Sequence, residues 1–140
     1  MLTNMVTRAP LAIASTESVI AMLLAAAGVD HFVPRLWPQH RALRELAERP
    51  PQAVAHVTRE WLFRPSADGG HALAGLERLF LRLTGDGWLV RLDDPEARYA
   101  VTPRLRTWGQ ELLDSLEDAD RRQFEITAQR LRATLSTASK

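Results

Sequence analysis

Residues 71–103 read HALAGLERLFLRLTGDGWLVRLDDPEARYAVTP, and the reading of this stretch decides the fold. Its first part predicts a helix over 71–84. Leu73, Leu76, Phe80 and Leu83 recur at spacings of three and four, which places them on one helical face. His71, Gly75, Arg78 and Arg82 fall on the opposite face. Gly85 and Gly87 are expected to supply positive-φ conformations where the helix stops and the chain turns sharply. Trp88, Val90 and Leu92 then alternate with Leu89 and Arg91, and residues 98–101 form a second β-prone run. Asp93-Asp94-Pro95-Glu96 is too polar and too proline-bound for a central strand, so it reads as the tip of an antiparallel hairpin. Thr102-Pro103 predicts the next helix, with the threonine as N-cap and the proline at the first helical position.

Upstream, Ser15 or Thr16 is expected to cap a helix over 15–29, with Glu17 in its first turn and Gly28 at its end. Val19, Ile20, Met22, Leu23 and Leu24 reach almost all the way round it, which calls for a core or a second subunit on several sides. The apolar run 11–29 is not read as a signal or spanning segment, because Ser15, Thr16, Glu17 and Ser18 interrupt it. Helices over 39–49 and 51–62 follow, divided by Pro50-Pro51, and residues 63–70 make a basic-polar turn. Downstream, Leu105, Trp108, Leu112 and Leu116 form one helical stripe; Phe124, Ala128, Leu131 and Leu135 form another. Asp118 or Asp120 is expected to cap the second of these helices.

A chain of 140 residues fits one domain on the usual size prior, and 46% hydrophobic residues with mean hydropathy −0.19 describe an ordinary globular composition. The absence of cysteine excludes disulfides, thiolate metal sites and thiol redox sensing. Net charge is only +1, and within 71–110 six arginines interleave with five acids, so no basic patch shows in one dimension. His31, His40, His56 and His71 lack ligand-type spacing, so no metal is predicted. No nucleophile–base set, P-loop or dinucleotide motif occurs, so neither an enzyme nor a cofactor is predicted. Trp37, Trp61, Trp88 and Trp108 fall one to an element and read as core anchors.

The run LERLFLRLTGDGWLVRLDDPEARYAVTP, residues 76–103, is similar to the recognition helix and wing of winged helix-turn-helix transcriptional regulators, most nearly the MarR-like group. The match is carried by Leu76, Arg78, Leu79, Leu83, Gly87, Leu89, Val90, Arg91, an acid at 93 or 94, Arg98, Val101, Thr102 and Pro103. The resemblance implies a mainly α fold with a small β-hairpin in a single domain over 1–140. The winged-helix core would span 36–103, and flanking helices over 15–29 and 103–137 would form a dimer interface. It further implies a cytoplasmic homodimer that binds specific double-stranded DNA, with a small aromatic ligand between the dimer and DNA-binding regions. Arg78 and Arg82 would meet phosphate or guanine in the major groove, Ser66 and His71 would meet phosphate, Arg64 would contact DNA, and Arg91 and Arg98 would serve the wing. A second function class stays open: the same shape as a protein–protein interaction module. The near-neutral charge, the acidic tip and a turn over 63–70 longer than the usual three or four residues favour it.

Overall fold

A computed structural model of the chain describes residues 15–33, 37–65, 71–95 and 97–138; the side chains of 37–40, 71–72 and 134–138 lie outside that description, as does the candidate contact Ser66. Among the described residues the chain forms six α-helices, one 3-10 turn and five short strands.

Helix α1 (Thr16–Ala27) starts at Ser15, whose hydroxyl accepts the Ser18 amide at 3.2 Å, and ends at Gly28, which takes φ +67°. Thr16 has a different task, accepting the Trp61 indole N–H at 2.9 Å. Val19, Ile20, Ala21, Met22, Leu23 and Leu24 are all buried, enclosed chiefly by α5 (Pro103–Asp114) and α6 (Asp118–Ala138). Of the two ways to satisfy an apolar helix, core and subunit interface, the chain uses its own core. The expected interface over 15–29 therefore meets a helix whose apolar side chains are already covered. Of the stripes on the last two helices, Leu105, Leu112, Leu116, Phe124, Ala128 and Leu131 are buried and Trp108 is half-buried, while the Leu135 side chain lies outside the described residues. At the crossing of α1 and α5 the backbones nearly touch. A Cβ on Gly109 would stand 2.2 Å from the Ala21 carbonyl oxygen and 2.9 Å from the Ala25 Cβ.

Helix α2 (Trp37–Glu48) is followed, past Pro50-Pro51, by a 3-10 turn (Gln52–Val54) and the single-turn α3 (Ala55–Thr58). Asp120 caps this turn, not the helix that carries it: its two carboxylate oxygens accept the Gln52 and Ala53 amides, each at 3.1 Å. The helix expected over 51–62 thus stops at Thr58. The chain leaves it because β2 (Phe63–Pro65) pairs antiparallel with β3 (His71–Leu73), in register Phe63 with Leu73 and Pro65 with His71. The helix expected over 71–84 is corrected accordingly. Residues 71–73 are strand, and α4 (Leu76–Gly85) begins only after Gly75, whose φ of +85° turns strand into helix at a cost that only a residue without Cβ avoids. Residues 63–65 of the expected lengthened turn are thus a paired strand, and 66–70 lie outside the described residues.

The second ribbon lies where the sequence places it. Strands β4 (Leu89–Arg91) and β5 (Tyr99–Val101) pair antiparallel, and β1 (His31–Phe32) adds to the far side of β5, giving the order β1-β5-β4. Thr102 joins ribbon to helix with one hydroxyl: it accepts the Leu105 amide at 3.1 Å as N-cap of α5 and donates to the Trp88 carbonyl at 2.7 Å. The fold is mainly α with a small antiparallel sheet. Among the described residues no helix is long and apolar enough to cross a membrane.

Gly109→Ala is expected to destabilise the protein by about 2 kcal/mol or more, because the added methyl meets backbone that cannot move aside. Gly85 does not take the expected positive φ, which falls to Gly87 alone, but is the last helical residue of α4. Gly85→Ala, with nothing within 4 Å of the new Cβ, should therefore be neutral or stabilising by about 0.5–1 kcal/mol. Thermal melts of the two variants check the contrast.

Candidate nucleic-acid interface

Helix α4 buries Leu76, Leu79, Phe80 and Leu83, which forces Glu77, Arg78, Leu81 and Arg82 outward. Its rotation is set by three rings. Phe80 lies 5.4 Å from Phe32 on β1 and 5.6 Å from Tyr99 on β5, and those two lie 5.8 Å from each other, all tilted. All three are buried. Strand alternation then sorts the ribbon residues. Leu89, Arg91, Tyr99 and Val101 share the sheet face turned toward α4; Val90 and Ala100 share the other face with His31.

The candidate contacts separate on this frame. Arg78 is exposed at the middle of the outward face of α4, and Arg91 is exposed at the end of β4 on the α4 side of the sheet. Neither is held by an ion pair or hydrogen bond to a described residue. Arg82 is exposed but engaged: its guanidinium meets Glu17 in the first turn of α1 at 2.9 Å. Arg64 is exposed on β2, in the hairpin that leads into α4, and His71 pairs through its backbone in β3.

Arg98 belongs to the other side of the ribbon. It donates to Asp94 through its side chain at 2.8 Å and through its amide at 3.2 Å, and it lies 3.2 Å from His31 Nδ1. The acidic tip is thus partly neutralised from within, and Arg98 acts as its fastening. The Arg98 side-chain hydrogen bond holds the Asp94 carboxyl below the ordinary aspartate range. Ala97, at φ +51°, takes a left-handed conformation inside this tip, and its amide closes the turn on the Asp94 carbonyl at 3.0 Å.

The ribbon is rooted by aromatic stacking. Trp88 and Trp108 stack at 4.8 Å, and the Arg104 guanidinium lies 3.9 Å over Trp88. These tryptophans face each other, while Trp61 packs edge-on to Phe63 at 6.4 Å, so among the described residues the tryptophans do not ring a common aromatic cavity; the Trp37 side chain lies outside them. Among the described residues no three His, Asp or Glu side chains gather to hold a metal ion. No partner for Arg82 could be read from the sequence, since Glu17 lies on another element 65 positions away. The Asp94–Arg98 tie, at a separation of four within the tip, was open to local reading.

No family model, curated protein or solved structure matches the chain.

Because the folded-state Asp94 carboxyl titrates below its unfolded value, the unfolded chain binds more protons in that window. The tie therefore contributes at pH above the ordinary aspartate range, near about 4, and is lost as pH falls through the folded value. Amide shifts of residues 89–101 should show an acid transition that Asp94→Asn removes. Identical acid profiles in the two proteins would contradict this role.

Proposed function

We propose that the chain is a winged-helix, sequence-specific DNA-binding regulator, with α4 entering the major groove and the β4–β5 ribbon lying alongside. The observation that carries this reading is the placement of Arg78 and Arg91. Both are exposed, neither is paired with a described residue, and the ring contacts that bury the far side of α4 leave Arg78 on its open face, with Arg91 on the sheet face toward the helix. Arg78 suits a phosphate or guanine edge; Arg91 suits phosphate or a narrow minor groove. Leu81, 57% exposed on the same helix face, suits a thymine methyl group. Arg82 supports the helix through Glu17, and Arg98 supports the ribbon through Asp94. In this reading the regulator works as a cytoplasmic homodimer on two half-sites, and Ile126, 51% exposed on α6, is an apolar residue for subunit contact.

A second reading is favoured by the exposed apolar residues themselves. Leu62, Leu81 and Val90 are 62%, 57% and 49% exposed, and two of the candidate arginines are already engaged. A protein partner would use the apolar residues and leave Arg78 incidental.

Salt dependence separates the two. In the DNA reading, duplex affinity measured by fluorescence anisotropy falls steeply between about 50 and 200 mM salt, and Arg78→Ala and Arg91→Ala each reduce the log–log slope by about one. Arg98→Ala should change affinity by no more than about twofold at fixed salt. A flat salt response, or full affinity in the Arg78→Ala Arg91→Ala double variant, supports the protein-module reading.

A further inference from the structure

Beside α4, on the flank away from the sheet, lies a groove of about 290 Å³ that the DNA reading leaves unused. Its floor is apolar, made by Leu73, Leu76 and Leu79, all buried. Trp61 and Leu62 form a wall, and the Trp61 ring is held in place by its indole N–H bond to Thr16 and by its edge contact with Phe63. Among the described residues three charged side chains stand on the groove: Glu17, Glu60 and Arg82. Arg82 is bound to Glu17 at 2.9 Å, so one acid is answered; Glu60 is exposed and pairs with no described residue.

We infer that this groove binds a small amphipathic organic cation, an aryl- or alkyl-ammonium. Among the described residues, two acids against one base give the rim a net charge of about −1. An ammonium group is the ligand head that matches both this rim and the electron-rich face of a fixed indole. The apolar floor takes the hydrocarbon tail, and the volume stands at the lower edge of small-molecule sites, which admits a ligand of one ring and excludes large polycyclic ones. A carboxylate on the same tail would face Glu60 uncompensated, and a neutral tail would gain from the floor alone. Three side chains divide the recognition: Glu60 binds the charge, Trp61 the charge and the ring, and Leu62 covers the tail. The site stands apart from the DNA reading, since none of its contacts requires a duplex.

Isothermal titration with phenethylammonium, phenethyl alcohol and hydrocinnamate, which share one ring and differ in head-group charge, tests the site on the intact protein. Phenethylammonium should bind saturably at about millimolar concentration or below, with hydrocinnamate weaker by about tenfold or more. Glu60→Gln, a change at an exposed position, should weaken phenethylammonium about fivefold to tenfold without moving the melting temperature. Trp61→Leu should weaken it too, and Glu60→Gln should leave phenethyl alcohol unaffected. The inference is overturned if phenethylammonium does not bind, if hydrocinnamate binds as tightly, or if Glu60→Gln binds phenethylammonium like the parent protein.

Discussion

Three rings from three distant parts of the chain meet under α4, and the geometry of the candidate interface depends on that meeting. Phe32 comes from a two-residue strand, Phe80 from the helix and Tyr99 from the returning strand of the ribbon. Tilted pairs at such distances are worth about 0.5–1.5 kcal/mol each beyond their burial. Their larger consequence is directional. With Phe80 packed against Phe32 of β1 and Tyr99 of β5, α4 cannot roll without exposing a ring, so Arg78 stays outward. The same contact explains why so short a strand as β1 joins the sheet: Phe32 anchors it from the core side while its backbone pairs with Tyr99 and Ala100.

Beneath this joint α1 acts as the pillar. Gly109 lets α5 approach its backbone more closely than any side chain would allow, and Thr102 carries the resulting helix position back to the ribbon through the Trp88 carbonyl. Charged residues extend the frame outward. Glu17 on α1 grips Arg82 on α4, Asp120 on α6 caps the turn at Gln52, and Arg98 closes the ribbon tip on Asp94. Several arginines that a one-dimensional count would offer to a nucleic acid are therefore part of the scaffold. The near-neutral net charge conceals a distinction between fastened arginines and Arg78 and Arg91, which pair with no described residue.

Much of this was legible in the sequence wherever the signal was local. The Ser15 and Thr102 caps, the Gly28 stop, the polar tip at 93–96 and the strands either side of it follow from residue chemistry within a few positions. The pairing of Phe63–Pro65 with His71–Leu73 was not, because Leu73 fits a helical stripe and a strand equally well, and only Gly75 at positive φ marks the boundary. The apolar helix at 16–27 announced that it needed several partners without saying whose; the core of its own chain supplied them. Of the candidate contacts, Arg78 and Arg91 stand on the surface; the engagement of Arg82 with Glu17, and of Arg98 with His31, depended on partners that folding alone brings near, whereas the Arg98–Asp94 tie is local.

The most direct measurement is a heteronuclear NMR titration of the isotopically labelled protein with duplex DNA at low salt. The account predicts shift changes concentrated at residues 76–85 on the outward side of α4 and at 89–91 on β4, with the amides of α1 and the buried side of α5 unmoved. Changes confined to the opposite sheet face around His31 and Ala100, or none at any ratio of duplex to protein, would contradict it.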